Sequence, residues 1–428
     1  AGAPDPPRRR MVAPRGRPLS ACSASASPGP SGPLAGVRVV DATQMVSGPM
    51  GCCLLGDQGA DVIKLEPPEG EALRFMSEGM GSMFATVNRN KRSLAVDLKA
   101  PEGLELVRRL VRTADVFVQN FRPGTAERMQ LGYEQLRAVR PDLVYVSISG
   151  FGPEGPYSHK RVYDAVIQAT SGLAAIQADA EGTPHVMRTI IPDKVTALTH
   201  AQAVTAALFQ RSRTGAGQHV QLSMLDSVIA FHWPEGMSKH TFGPLSTQAK
   251  RSSFYVKETI YRCRDGEYVT VCVVQLKEWQ GFCRAVERPD LLEDPRFRTA
   301  EGLNKNREAR LDLIEEIMAG MDSADALARM DRHEVPCALV NHPLHKVVQD
   351  PQVQTNGVVL ETTHPHAGPM RFARPAAQFG GQPFALRHHA PLLGEHSAEV
   401  LAELGLSAAA ISDLERRGVV RTAPAAKL

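Results

Sequence analysis

The sequence has no long apolar run, no excess of either charge, no closely spaced cysteine pairs and no metal-ligand spacing, and each absence removes a class of function. Crossing a bilayer takes ~18–20 consecutive apolar residues. No stretch approaches that, so no membrane span is expected. Lysine and arginine number 49 against 46 acids, a net charge of +3. Such a balance excludes the broad basic footprint of a nucleic-acid-binding protein but leaves room for a local basic site for a phosphorylated small molecule. The seven cysteines, Cys22, Cys52, Cys53, Cys263, Cys272, Cys283 and Cys337, form no C-x-x-C pair. Free thiols in a reducing compartment, the cytoplasm, fit that usage. His364-x-His366 and His388-His389 are isolated pairs in Pro/Gly-rich surroundings, which suits surface or loop histidines rather than zinc ligands. No metal is expected, and no internal repeat is visible.

What is present is a chain of 428 residues, 43% hydrophobic and 22% charged, with room for two domains and a large core. Residues 1–33 differ from the rest: they are rich in Pro, Ala, Ser and Arg, with Asp5 the single acid. That composition cannot bury a core and predicts disorder. It suits a cloning remnant or an over-extended start. An organellar transit peptide, which would make the location mitochondrial, is the alternative, but the prolines oppose the amphipathic helix such a peptide needs.

Order is expected from about Leu34. Gly36-VRVVD reads as a buried strand ending at Asp41, Ser47-Gly-Pro49 as a helix start with proline in the first turn, and Gly59-ADVIKLE as the next strand. Strand, helix and strand within about 30 residues make a βαβ unit and imply a parallel sheet. Pro101 begins a helix with Leu104, Val107, Leu110 and Val111 on one face; Val116-FVQN and Leu143-VYVSIS are further strands. The first part of the chain is therefore α/β. After Gln218-HVQLSM the texture changes. Asp265-Gly266 between alternating apolar runs predicts a β-hairpin, followed by helices around Trp279–Val286 and Arg307–Met321. Residues 235–345 form a smaller α+β domain on this reading. Beyond 350 come a strand-like Gly357-VVLE, a Pro-rich connection and a helix at Ser397-AEVLAELG.

Two motifs carry chemistry. Gly150-x-Gly152-x-x-Gly155 fits the dinucleotide pattern, but Pro153 and Pro156 prevent the helix that would receive a pyrophosphate. Asp193 follows Pro192 and opens the small-residue helix Lys194-VTALTHAQAVTAALF. One reading makes it the helix N-cap. The other makes it a nucleophile: a carboxylate at a helix N-terminus stays ionised and attacks a thioester without a general base, forming a mixed anhydride. Of the basic residues Lys91, Arg92, Lys99, Arg122, Arg128, Lys160 and Arg161, most read as a solvated face; Arg128 and Arg161 sit near loops that an anion could approach.

Several segments in order resemble the class III coenzyme A transferases, the formyl-CoA transferase/carnitine CoA-transferase (CaiB/BaiF-type) family. They are LAGVRVVDATQMVSGPMGCCLLGDQGADVIKLEPP, NRNKRSLAVDLKAPEG, FRPGTAERMQLGYEQLRAVRPDLVYVSISGFGPEGP, RTGAGQHVQLSMLD and APLLGEHSAEVLAELGLS. The resemblance spans roughly residues 34–420. It implies a Rossmann-like large domain (34–230, closed by 350–428), a small domain and two chains interlocked as rings. It implies acyl-CoA and carboxylic acid substrates, with no permanently bound cofactor, and Asp193 as nucleophile by way of an aspartyl–acyl anhydride and an aspartyl–CoA thioester. By the same resemblance the coenzyme A contacts fall on Met45, Val46, Ser47, Val96, Lys99, Asn120, Phe121, Arg128, Arg161 and Tyr163. α-Methylacyl-CoA racemases are similar too, but carry a His-Asp pair where this chain has Tyr163-Asp164. Tyrosine, with a pKa near ~10, is a poor base at neutral pH, which favours the transferase; Tyr163 could equally just pack in the core. A non-catalytic CoA-binding relative is the third reading. Residues Ser246–Val256, STQAKRSSFYV, lack the glycine-rich loop of formyl-CoA transferases, and Pro67 follows Lys64-x-Glu66 where many relatives have a basic residue. A dicarboxylic acid is the expected acceptor, with Arg188, Lys250 and Arg251 as partners for its remote carboxylate.

Overall fold

The computed structural model describes residues 32–76, 81–179, 181–243 and 259–423. The expected disorder of 1–33 falls almost wholly outside them, and Lys250, Arg251 and the whole loop 246–256 lie outside the described residues. The chain divides into two compact units. One holds the described residues within 1–171, 187–228 and 356–428, the other those within 172–186 and 229–355.

The first unit is built on a seven-stranded sheet. Strands β1 (Arg38–Ala42), β2 (Asp61–Glu66), β3 (Lys91–Val96), β4 (Val116–Gln119), β5 (Val144–Ser149) and β6 (Gln218–Ser223) run parallel in the order β3-β2-β1-β4-β5-β6. Val420–Arg421 adds an antiparallel edge beside β3. The direction of winding reverses between β1 and β4, and in such sheets ligands settle outside the carboxyl ends of the strands at that point. Alternate residues serve opposite faces. Val40, Ile63, Leu65, Leu94, Val96, Phe117 and Tyr145 pack with Leu106, Val107, Leu110 and Val111 of one helix. Val39, Val62, Val116, Val118, Val144 and Val146 pack on the other face with Cys52, Leu55, Ala201, Val204 and Leu208. Coverage of both faces is why these strands read as continuous apolar runs.

The helices covering these faces include α1 (Ser47–Asp57), α2 (Pro101–Arg112) and α4 (Ile191–Thr214), and α3 (Asp164–Thr170) packs against α4. Helices α1 and α4 pack unusually closely. A Cβ added to Gly51 would lie 2.0 Å from Nδ1 of His200, so glycine is required there. Gly51 is one turn into α1, and His200 is about two turns beyond Asp193. This approach sets the start of α4 against the start of α1.

The second unit has a three-stranded antiparallel sheet, β7 (Ile260–Arg262), β8 (Tyr268–Val271) and β9 (Cys337–Leu339). The hairpin joining β7 to β8 turns at Asp265-Gly266, with Gly266 at φ +85°, as its sequence demands. Trp279, Phe282 and Phe297 fill its core with Ile314 and Met318, the rings of Trp279 and Phe297 lying 5.0 Å apart.

Two readings of the sequence need revision. His364 is buried rather than a surface residue: Nε2 meets the Ala390 carbonyl at 3.0 Å, and Nδ1 accepts from the His366 and Ala367 amides. Lys91 and Arg92 are not a solvated face. Both are buried in β3, ion-paired to Asp41 and to Asp61, Glu399 and Glu403. The six described cysteines are free, and no described helix is long and apolar enough to cross a membrane.

Candidate functional site

Asp193 is not the N-cap of α4. Ile190 occupies that place, Pro192 is in the first turn where its missing N–H is harmless, and Asp193 is the third helical residue. Its backbone N–H donates to Oδ2 of Asp164 at 3.2 Å, and Asp164 Oδ1 accepts from Gln168 Nε2 at 2.6 Å. The Asp193 side chain is thereby released from capping its own helix. It faces the start of α1 instead, where the Ser47 amide and hydroxyl favour its charged form. Burial and then the neighbouring Asp164 charge push its pKa up to about 6, and the two Ser47 donors oppose them. A helix N-terminus therefore does stabilise the carboxylate, but the helix is α1. The net shift is upward, not the downward one a simple cap would produce, and the group is still mostly ionised at pH 7.

The turn leading into α1 is built with care for its direction. Met45 has φ +66°, the left-handed region that residues with a Cβ avoid. Asn120, just past β4, clamps the preceding residue from both sides: the Gln44 amide donates to Oδ1 at 2.9 Å, and Nδ2 donates to the Gln44 carbonyl at 2.8 Å. The Met45 amide donates to Oε2 of Glu71 at 2.8 Å. Glu71 pairs through Oε1 with Lys64 at 2.7 Å, both side chains fully buried. Burial acts to lower the Lys64 pKa, but Glu71, Asp41 and Glu66 raise it on balance, so the ammonium stays charged. Asp41 would be raised by burial; Lys91 and Lys64 hold it well below the usual carboxylate range.

A cavity of about 330 Å³ opens at the carboxyl ends of β1, β2 and β3, lined by Ala42, Gln44, Glu66, Pro67, Pro68, Val96, Lys99, Phe121 and Met129 among others. Val96, Lys99 and Phe121, three of the expected contacts, therefore meet in one place. Gln44 lines the same cavity and lies three residues before Ser47, a span of at most about 11 Å. Met45, Val46 and Ser47 form the turn, and Asn120 acts on it as a clamp. Arg128, Arg161 and Tyr163 do not line this cavity. Arg128 is exposed and donates to Thr125 Oγ1 at 2.8 Å; Arg161 is exposed. Tyr163 does not pack in the core: it is 72% exposed, because it stands at the N-cap of α3 with Asp164 turned inward. Arg188 is exposed.

Sequence reasoning missed Glu71, Gln168 and the structural parts of Lys64 and Asp164. A signal existed for Lys64 and Glu66: they are two residues apart, hence on one face of a strand whose Val62, Ile63 and Leu65 mark it as buried, and buried charges need partners.

A family model described as CoA-transferase family III matches residues 34–397. A succinyl-CoA:glutarate CoA-transferase from Mus musculus is 32% identical, over 95% of this chain and 93% of its own length. A formyl-CoA:oxalate CoA-transferase from Streptomyces avermitilis is 31% identical, over 90% of this chain and 99% of its own. The crystal structure of a CaiB/BaiF family protein from Brucella suis matches with TM-score 0.75 at 30% identity, covering 87% of this chain and 99% of that one.

Proposed function

The chain belongs to CoA-transferase family III and is an enzyme that transfers coenzyme A, and on that premise we propose that Asp193 is its acyl acceptor and a dicarboxylic acid its acceptor substrate. The observation that carries this is the place of Asp193 in the first turn of α4, where α4 closes on α1 and Ser47 favours the charged carboxylate, beside the turn whose Gln44 lines the cavity. An Asp193 oxygen attacks the thioester carbonyl carbon; the C–S bond breaks and the coenzyme A thiolate leaves, giving an aspartyl–acyl anhydride. The thiolate attacks the aspartyl carbonyl and the donor acid departs, giving an aspartyl–CoA thioester. The acceptor carboxylate attacks that thioester, and the expelled thiolate then takes the acceptor's acyl carbon, restoring Asp193. Charge and bond count are conserved throughout, so no ATP is required.

The cavity at the ends of β1–β3 is proposed to take part of coenzyme A, with Val96, Lys99 and Phe121 as contacts and with Arg128 and Arg161 available to phosphates from outside it. The relatives' names, succinyl-CoA:glutarate and formyl-CoA:oxalate CoA-transferase, support a dicarboxylic acceptor. The exposed apolar side chains Leu198 and Phe209 on α4 support association with a second copy, in line with the interlocked dimer that the resemblance implies. The racemase reading fares worse, since position 163 offers an exposed tyrosine and Asp164 already accepts from the Asp193 amide and Gln168.

The test is a panel of carboxylic acids offered with succinyl-CoA and read by mass spectrometry. New CoA thioesters of dicarboxylic acids should appear, and Asp193→Ala should abolish them. Deuterium wash-in at the α-carbon of a 2-methylacyl-CoA without any acceptor acid would favour the racemase instead.

A further inference from the structure

We infer that Glu71, held in place by Lys64, is a positioning residue for the transfer reaction: it pins the Met45 turn and so fixes the Ser47 donors against Asp193. The inference rests on the reading of Asp193 as the acyl acceptor. Glu71 does not touch that aspartate; it acts through the chain between them.

The turn from Thr43 to Ser47 would not hold its shape unaided. Met45 sits at φ +66°, a conformation that a side-chain-bearing residue leaves when nothing holds it there. Three side chains from beyond its own strand hold it. Asn120 fixes both polar groups of Gln44. Lys64 Nζ donates to the Thr43 carbonyl at 3.1 Å. Glu71 Oε2 accepts the Met45 amide at 2.8 Å, and of the three it alone acts on the strained residue itself. Glu71 is in turn fixed from two directions. Its other oxygen pairs with Lys64 at 2.7 Å, and its own amide donates to Oε2 of Glu66 at 3.3 Å. Arg74 locks Glu66 with two bonds of 2.6 Å. The whole relay, from Arg74 through Glu66 and Glu71 to Met45, is almost entirely buried. Two residues beyond its end stands Ser47, whose amide and hydroxyl oppose the burial of the Asp193 charge. A charged acceptor at Glu71 suits this task. It makes a stronger bond to the Met45 amide than a neutral one would, and it neutralises Lys64, which a glutamine cannot do.

Glu71→Gln should retain the fold but loosen the turn. With weaker donors facing it, the Asp193 carboxylate becomes harder to ionise, so the acid limb of single-turnover aspartyl–CoA formation should move up by about one pH unit. The rate constant at neutral pH should fall about tenfold with donor KM changed less than about twofold. Adding Met45→Gly, which removes the objection to a positive φ, should return the limb toward its wild-type position. Glu71→Asp, which keeps the charge, should fall between Glu71→Gln and wild type. A merely structural Glu71 predicts something else: a lower fraction of folded enzyme, counted by active-site titration, with the acid limb unmoved in every variant. That outcome overturns the inference, as does a Glu71→Gln enzyme with wild-type rate and limb. If Glu71→Gln fails to fold, Glu71→Asp and Met45→Gly carry the same pH test. An inactive Asp193→Ala beside an unmoved limb sinks the positioning role alone, whereas an active Asp193→Ala sinks the reading beneath it.

Discussion

The two units treat buried charge in opposite ways. In the first, charges are buried inside the sheet and the observed ones are paired: Lys91 with Asp41 at 2.8 Å, Lys64 with Glu71 at 2.7 Å, Arg74 with Glu66 at 2.6 Å. In the second, the core is aromatic and aliphatic, and ion pairs such as Arg264–Asp322 and Arg288–Asp290 lie in solvent. Among the described residues its buried cation is Arg310, 5% exposed, whose Nε and Nη1 have no hydrogen-bond partner among them. Burial and the nearby Arg307 lower its pKa. Buried ion pairs seldom stabilise a fold more than a well-packed apolar core would. Their concentration in the first unit therefore points to position rather than stability: Lys64 and Glu71 bond the Thr43 carbonyl and the Met45 amide in the turn before α1. The solvent-exposed pairs of the second unit contribute little.

The largest effect that could break this contrast is on stability. Lys91→Met leaves Asp41 buried without its ammonium, and also removes bonds to the Pro49 carbonyl and Asn88. It should destabilise the protein by about 3–5 kcal/mol in urea unfolding; a loss below about 1 kcal/mol would mean the pair is not truly desolvated. The next effect concerns pH. Because the Asp193 pKa is raised in the folded protein, from 3.8 to about 6, the fold binds more protons than the unfolded chain between those values, and its stability falls as pH rises through that window. Asp193→Asn should therefore be more stable than wild type at pH 7, by about 2 kcal/mol. The advantage should fade as pH drops toward 4, while transfer activity is lost at every pH. Equal stability at pH 7 would show that the carboxylate is not held against its preference. The smallest effect sharpens the comparison from the other side. Arg310→Met replaces a buried cation, two of whose nitrogens have no partner among the described residues, with an apolar chain, and should raise stability in urea unfolding by about 1 kcal/mol. A loss of that size would mean that Arg310 has a partner in solution.

The sequence showed most of the strands of the parallel sheet, because both of their faces are buried and the apolar runs are unbroken. It showed the Asp265-Gly266 hairpin, because the turn chemistry is local. Strand β3 is not legible from its own residues; the polar Lys91, Arg92 and Ser93 hide it, since they are charges and a hydroxyl satisfied by partners far along the chain. Asp193 stands out in the sequence by its place at the start of a small-residue helix, but the cap position that one reading gave it belongs to Ile190. Which helix a carboxylate faces depends on how closely two helices approach, and that depended on Gly51 meeting His200. Glu71 escaped notice for the same reason. Nothing in GEALR announces that its carboxylate reaches back 26 residues to the Met45 amide.

One measurement bears on Asp193 more directly than any other. The enzyme is incubated with succinyl-CoA carrying a labelled acyl group, trapped with hydroxylamine or borohydride, digested, and its peptides are read by mass spectrometry. The modification should fall on the peptide containing Asp193 and vanish with Asp193→Ala. A trapped adduct on any other residue, or full turnover by Asp193→Ala, would contradict it.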